Sequence, residues 1–508
     1  MEKTLIVCSA LGVTEYACSA LAGTGAVFQR TLKRLRAAPL DAFDCVLVRE
    51  EGEAMFFPEA PGIRELRVAG RGVHEVLSAL RAQYSGYAWY IFADIAAPFV
   101  DPDMYLHFLQ RAEEQIAHYT YGEHYPRGAA PQVLSAEALE VLCGVSSARN
   151  FPFSDEAIFD LMGLDINSYD IEMVVSPEDF RRWRLDLRVR DAYSFALCER
   201  LFQKEPALLE RASYSLLCET LIKSPDILRV LPAYLELDVS GACQLACTFC
   251  PRSLSDMNSY ANLQSPREKV LTLIRELAAI NPQATLALSP YSEPLLSADC
   301  TLFVQEALGL GLRVVIETNG LALDEKYAAF FAGLDEERSI IILSPDYACA
   351  GRYHEAKGLD GLAIVDENIR RLFALRKRNV WLQIIQFEKS DEEIDAFYAK
   401  WKEYEDSILP RKYNNWCGRL PGEAAIDLSP IRRAPCWHLA RDLVVAADGS
   451  ARLCKQDIGG GVCGNVFDEG LPAVWKRLDE AWTRHLADTK NWGHALCSVC
   501  DEWHTFNY

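Results

Sequence analysis

The sequence predicts an α/β protein of three parts: an open, mostly parallel sheet, a partial parallel barrel, and a small cysteine-rich tail. Three observations lead there. Through most of the 508 residues, β-rich runs alternate with helical patterns, an order that builds parallel sheets. Several of those runs end in polar residues, as strands do when a site lies beyond their carboxyl ends. Cysteines cluster at metal-like spacing in one loop, Cys243, Cys247 and Cys250, and again near the C-terminus at Cys436, Cys454, Cys497 and Cys500. A chain this long exceeds a single core, and breakers place the parts at about 1–225, 226–425 and 426–508.

Composition narrows the function classes. With 72 acidic against 52 basic residues the net charge is -20, which argues against a surface that neutralises nucleic-acid phosphates. The 17 cysteines are spread along the chain rather than paired in a short scaffold, which indicates a reducing, cytoplasmic setting. Leu5 to Val13 is a short apolar run, but Glu15 and Tyr16 interrupt it, and it reads as a first strand rather than a signal peptide. No run approaches the roughly 20 apolar residues of a membrane span, so no membrane association is expected.

In the N-terminal part, Thr4–Cys8, Cys45–Val48 and Trp89–Asp94 are β-rich, with a helical pattern over Val27–Leu35. Asp94 ends its strand where open α/β sheets bind ligands, so it is placed either as a carboxylate for a phosphate-bound metal or as an ordinary loop-capping acid. Three segments, Leu21-Ala-Gly-Thr-Gly-Ala-Val-Phe-Gln-Arg-Thr-Leu-Lys-Arg-Leu35, Ala93-Asp-Ile-Ala-Ala-Pro-Phe-Val-Asp101 and Ser176-Pro-Glu-Asp-Phe-Arg-Arg-Trp-Arg-Leu-Asp186, resemble in order parts of the sugar-activating, cytidylyltransferase-like nucleotidyltransferases. That resemblance implies a GT-A-like open sheet, with Asp94 and Asp186 as possible nucleotide-metal ligands. The chain departs from the family at Ser9-Ala-Leu-Gly-Val-Thr-Glu-Tyr16, which has one glycine and no cation where a triphosphate would sit, a departure that favours the fold over the activity. Residues 191–230 are mostly helical in pattern, with Leu201, Leu208, Leu209, Leu216 and Leu217 at helix-like intervals, until Ser224-Pro225 and Leu231-Pro232 break it.

In the central part an apolar strand runs into Leu235-Glu-Leu-Asp-Val-Ser-Gly-Ala-Cys-Gln-Leu-Ala-Cys-Thr-Phe-Cys-Pro-Arg252. Three thiolates in one loop can hold three corners of a [4Fe-4S] cluster and leave the fourth iron open to a ligand. Zinc or three buried thiols are the alternatives. A helix over Arg267–Ile280 follows, then strand runs at Thr285–Leu288, Arg313–Gly320, Ser339–Asp346 and Val380–Gln386. Such repeated strand–helix units give a parallel barrel whose active face lies at the strand ends.

The C-x3-C-x2-C loop with Phe249 before its last cysteine resembles the radical S-adenosylmethionine (SAM) superfamily, which implies a partial (β/α)6 barrel with SAM on the open iron. Ser292-Glu-Pro294 stands where that family has Gly-Gly-Glu-Pro, and the resemblance makes Glu293 an acceptor for the SAM ammonium. Thr318-Asn319-Gly320 resembles the ribose-side motif, and Ser344 with Asp346 resembles the Ser-x-Asp that follows it. The chemistry implied is reductive cleavage of SAM to a 5′-deoxyadenosyl radical, which abstracts a substrate hydrogen.

The tail opens at Pro435-Cys-Trp437, continues in a strand at Leu443–Ala446, turns at Asp448-Gly449 and returns through Ala451–Cys454. Its spacing, Gly449-x4-Cys454 after Cys436 and before Cys497-x2-Cys500, resembles the SPASM auxiliary-cluster extension. The implied ligands of one closed [4Fe-4S] cluster are Cys436, Cys454, Cys497 and Cys500. Zinc is the alternative for this site, and Cys463 beside Gly459-Gly460-Gly461 is a fifth candidate. The remaining cysteines (8, 18, 45, 143, 198, 218, 300, 349 and 417) lack metal spacing and read as core or surface thiols.

The whole arrangement resembles the spiro-SPASM family. It implies SAM, two [4Fe-4S] clusters, a peptide, small-molecule or sugar-nucleotide substrate, and an electron donor such as flavodoxin or ferredoxin. The alternatives are a sugar-phosphate nucleotidyltransferase with structural or sensing clusters, and a non-catalytic iron–sulfur binding protein.

Overall fold

The computed structural model describes residues 2–52, 63–211, 213–254, 257, 260–288, 291–423 and 429–507. Ser289 and Pro290, which lead into the Glu293 loop, lie outside the described residues. The chain divides into two compact units, Met1–Ile227 and Leu228–Tyr508, each built on a mixed, parallel-rich sheet.

The first unit has seven strands: β1 (Thr4–Ser9), β2 (Asp44–Glu50), β3 (Arg64–Val68), β4 (Trp89–Asp94), β5 (Tyr119–Glu123), β6 (Gln132–Ser135) and β7 (Ile171–Val175). They lie in the order β3-β2-β1-β4-β6-β5-β7. β1, β2, β3 and β4 are mutually parallel, while β6 runs antiparallel to both β4 and β5. β1 is central and buried on both faces, which is why its sequence is a continuous apolar run rather than an alternation. The chain winds from β1 out to β3 and then returns to the other side of β1 as β4, so strand order reverses between β1 and β4. Asp94 ends β4 at that switch point, opposite Ser9.

The second unit has eight strands: β8 (Tyr234–Leu237), β9 (Thr285–Leu288), β10 (Arg313–Thr318), β11 (Ser339–Leu343), β12 (Val380–Gln386), β13 (Ile408–Lys412), β14 (Asp442–Val445) and β15 (Ala451–Arg452). Their order is β13-β12-β11-β10-β9-β8-β14-β15, with every neighbouring pair parallel except the β14–β15 hairpin. One face carries Leu235, Leu237, Val314 and Ile316 into a core shared with helices Arg267–Ile280, Leu362–Leu375 and Leu471–Ala487. The other face carries Tyr234, Ala287, Val315 and Ile342, which cluster with Trp381 and Leu409 from the far strands. Residues two further along the pleat, Glu236, Glu317, Gln383 and Arg411, share this second face and line a cavity.

The C-terminal segment extends the same sheet, because β14 pairs in parallel with β8. The hairpin turn needs Gly449: its φ is +84°, and a Cβ there would lie 2.3 Å from the Phe467 ring.

Candidate active site

The cysteine loop leaves β8 at Asp238 and is fastened from several sides. Gly241 donates to the Leu263 carbonyl at 2.9 Å, Ala246 to Lys357 O at 3.1 Å and Thr248 to Ala356 O at 2.9 Å. The last two acceptors end the helix Ala350–Lys357, whose Gly358 turns the chain at φ +74°. Arg252 donates back to the Gly241 carbonyl and closes the loop. Cys243, Cys247 and Cys250 all line the cavity. Burial raises all three thiols, Cys247 to about 12 and Cys250 to about 11; Cys243 adds to the rise at both of these, and Cys250 to that at Cys247.

The residues expected to hold SAM come together around these thiols. Glu293 is buried; Oε1 accepts from Thr318 Oγ1 at 2.7 Å and from the Leu295 amide at 3.1 Å, and Oε2 accepts from the Asn319 amide at 2.9 Å. Burial lifts Glu293 to about 7. The carboxylate therefore ties the β9 and β10 loops together, a role added to the expected one of accepting from an ammonium. Asn319 Nδ2 lies 3.9 Å from Cys243 Sγ, and its Oδ1 accepts from Gln244 at 3.3 Å. Ser344 and Asp346 follow β11, and Gln383 Nε2 donates to both at 3.3 Å. The Phe249 ring packs edge-on against Phe387.

Tyr291 and Ser292 stand where glycines were expected, and each has its own partner. Ser292 Oγ donates to Asp238, while Tyr291 packs against Tyr260 and Trp416 and donates from its hydroxyl to the Lys455 carbonyl at 2.6 Å.

Lys357 carried no sequence signal. It is buried, pairs with Asp346 at 2.7 Å and donates to Ser344 O at 2.5 Å. Burial pulls its pKa down, but Asp346 and Cys247 outweigh this and leave it raised, so a fixed positive charge stands beside the thiols. Only the fold brings this lysine to the loop, which is why spacing could not reveal it.

The four tail cysteines also gather. Burial first, and then Cys436, Cys500 and Cys497, push Cys454 well up; Cys436 is held at about 12 and Cys497 at about 11 by the same causes. Cys436, Cys454 and Cys500 line the same cavity as the three-cysteine loop. Cys463 does not line it; its sulfur faces the Gly461 carbonyl at 4.0 Å. Cys417, expected as a core or surface thiol, is buried, and its interaction with Cys500 lowers Cys500 and pushes Cys417 up.

Both thiol groups fit iron–sulfur clusters. Backbone amides donate to the sulfurs of Cys243, Cys250, Cys436, Cys454 and Cys500, the pattern that stabilises cluster thiolates. Among the described residues, no three His, Cys, Asp or Glu side chains are grouped so that they could hold a single metal ion.

In the first unit, Asp94 and Asp186 converge on arginines. Asp94 pairs with Arg190, which also donates to the Gly12 carbonyl at 3.0 Å, and Asp186 pairs with Arg188 at 2.6 Å. Asp155, missed in the sequence, joins them: it pairs with Arg188 at 2.5 Å, and burial followed by the charges of Asp94, Glu156 and Asp186 raises it against the pull of Arg188. Burial also favours the neutral form of Asp186, but Arg188 more than offsets this and leaves Asp186 lowered. Both expected metal carboxylates are thus engaged by guanidinium groups of the same unit.

No family model matches the chain. A curated relative from Treponema pallidum (strain Nichols), described as an uncharacterized protein, is 29% identical over 372 residues, covering 70% of this chain and all of that protein. The S-adenosyl-L-methionine-dependent 2-deoxy-scyllo-inosamine dehydrogenase of Niallia circulans is 28% identical over 136 residues, 26% of this chain and 52% of that protein. Among solved structures, SuiB from Streptococcus suis bound to the precursor peptide SuiA matches 61% of this chain and 87% of its own at 14% identity and TM-score 0.43. A cytidylyltransferase from Leptospira borgpetersenii serovar Hardjo-bovis matches 44% of this chain and 95% of its own at 14% identity and TM-score 0.36. Among the described residues no helix is long and apolar enough to cross a membrane.

Proposed function

We propose that the chain is a radical SAM enzyme of the spiro-SPASM kind, with SAM on a cluster held by Cys243, Cys247 and Cys250 and one auxiliary cluster held by Cys436, Cys454, Cys497 and Cys500. One observation carries this reading: thiols of both groups and the five polar motif residues Glu293, Thr318, Asn319, Ser344 and Asp346 line a single cavity of about 620 Å3. When bound, the open cluster supplies an electron that cleaves SAM and gives a hydrogen-abstracting radical. The protein's residues bind and shield. Glu293 fixes the β9 and β10 loops against one another, Asn319 lies against Cys243, and the buried Lys357–Asp346 pair lies beside Cys247. Without such enclosure a reactive species would be quenched by water.

The substrate in this reading is polar, a peptide or a sugar nucleotide. Among the described residues, Asp442 Oδ1 and Gln456 Oε1 are buried acceptors without a partner, and both residues line the cavity. Buried acceptors are costly unless a donor reaches them, so a hydroxyl or amine of the substrate is their match. The first unit, its carboxylates held by arginine, serves as a binding module rather than a transferase, and the electron donor is a flavodoxin or ferredoxin of a reducing cytoplasm.

Anaerobic reconstitution, reduction and addition of SAM tests the proposal. The expected result is about eight irons per chain and release of 5′-deoxyadenosine, abolished in Cys247→Ala. Reduced, iron-loaded protein that leaves SAM intact would overturn it, and one zinc with about four irons would replace the auxiliary cluster.

A further inference from the structure

Asp442 opens β14 beside Tyr234 and is 6% exposed, as is Gln456. One of its carboxylate oxygens is fully used: Oδ2 meets the His438 ring at Nδ1, 2.6 Å away, and accepts from Asn507 Nδ2 at 2.8 Å. These contacts clamp the group and leave Oδ1, like Gln456 Oε1, without a partner among the described residues on the wall of the cavity. A buried carboxylate oxygen is matched best by a donor that carries charge.

The surrounding charges favour the same ligand. Glu236, on the same sheet face, is offset by Lys455 at 3.0 Å. Lys412 alone serves both Asp501 and Glu502, each at 2.8 Å. Glu502 belongs to this side of the cavity through Thr505, which donates to the Glu502 carbonyl at 2.9 Å and meets His438 Nε2 at 3.1 Å. The carboxylates therefore exceed the cations here even with His438 counted as charged, and the thiolates of the four-cysteine centre add to the excess. The other cations of the cavity are engaged as well. Lys357 pairs with Asp346 at 2.7 Å, Arg411 pairs with Glu317 at 3.0 Å, and Arg252 donates to the Gly241 and Tyr291 carbonyls. Among the described residues, every lysine and arginine lining the cavity thus has an acceptor already, and a diphosphate would have to break these pairs to be bound.

We infer that the substrate binds as a cation: a primary ammonium group docks on Asp442 Oδ1, Gln456 Oε1 accepts from the same ligand, and this cavity takes no sugar nucleotide. The inference rests on the reading above and narrows its substrate to a peptide amine or an unphosphorylated amino sugar.

The test is a saturation-transfer NMR titration of the full chain, reconstituted anaerobically and loaded with SAM. The amine probes are glucosamine and acetyl-Ala-Lys-Ala-amide, each beside the form acetylated on that amine, and UDP-glucose is the anionic competitor. At least one amine should bind, about tenfold or more tightly than its acetylated form, and which of the two binds distinguishes sugar from peptide. UDP-glucose should not displace it. Asp442→Asn can offer its oxygen to His438 and Asn507 while turning a donor toward the cavity. That variant should keep about eight irons per chain and weaken the amine about tenfold or more. Should it lose iron, Gln456→Met takes its place and should weaken the amine severalfold. Binding of neither amine, amine binding unchanged in the iron-loaded variant, or displacement by UDP-glucose would overturn the inference. SAM left intact by the reduced wild-type protein would overturn the radical SAM reading instead, and these titrations do not depend on that cleavage.

Discussion

Asp238, the residue after β8, is a fully buried carboxyl group. It accepts from Ser292, from the Tyr260 hydroxyl and from the Tyr291 amide, yet burial outweighs these bonds and raises it from 3.8 to about 6. Because the folded value is the higher one, its contribution to stability is full below pH 4 and is lost as the pH rises through 6. Asp238→Asn removes the ionisation and keeps an acceptor for Ser292, while the Tyr260 hydroxyl can turn to accept from the new amide. Relative to wild type, the variant should therefore gain about 3 kcal/mol between pH 4 and pH 7, read from denaturant midpoints across that range; a constant difference would refute the assignment. Lys357 and Asp346, each about 2% exposed, raise the converse case. Lys357→Met strands a buried carboxylate and should cost about 3–5 kcal/mol, most of it recovered by adding Asp346→Asn. Thermal denaturation under anaerobic conditions checks both variants.

The elements that the sequence made legible are those whose burial is uniform along the element. Trp89–Asp94, Thr285–Leu288 and the helix Arg267–Ile280 match their expected bounds because each presents an unbroken apolar run or a clear helical stripe to a core. β3 was missed because Arg-Glu-Leu-Arg-Val alternates exposed charge with burial, and β5 and β7 were missed because they lie toward one edge of their sheet, β5 with a polar end and β7 only half-buried along its length. The cysteine loop was legible in its ligands but not in its anchors, since the carbonyls that receive Ala246 and Thr248 belong to a helix after β11. One anchor can be tested directly. A Cβ on Gly241 would lie 1.8 Å from the Tyr260 carbonyl oxygen, a backbone atom that cannot swing away. Gly241→Ala should cost about 1–3 kcal/mol and lower the iron bound by the loop, measured as iron per chain after reconstitution. Full iron loading with an unchanged midpoint would mean that this close approach is not what holds the loop.

At the scale of the molecule, the sequence announced two cysteine centres but not that they face one cavity. That depends on where β14 docks, and strand pairing across so long a stretch of chain leaves no local trace. With β14 beside β8 in parallel, Val444 pairs with Glu236, and the chain before and after the hairpin carries Cys436 and Cys454 to the mouth that Cys243 lines. The tail is thus also a structural wall. Leu443 and Val445 share a core with Leu235 and Leu237, and the helix Leu471–Ala487 adds Leu471, Val474 and Leu478 to it. Arg229, 1% exposed, is held by Asp479 at 2.9 Å and by the carbonyls of Leu439 and Trp475, with its guanidinium over the Trp475 ring. A chain ended at residue 433 would lose all of these partners, uncover one edge of β8 and strand a buried cation. It should therefore aggregate and bind no iron even though Cys243, Cys247 and Cys250 remain, as judged by size-exclusion chromatography and iron content. A monodisperse fragment that loads about four irons and cleaves SAM would show instead that the barrel stands without its tail.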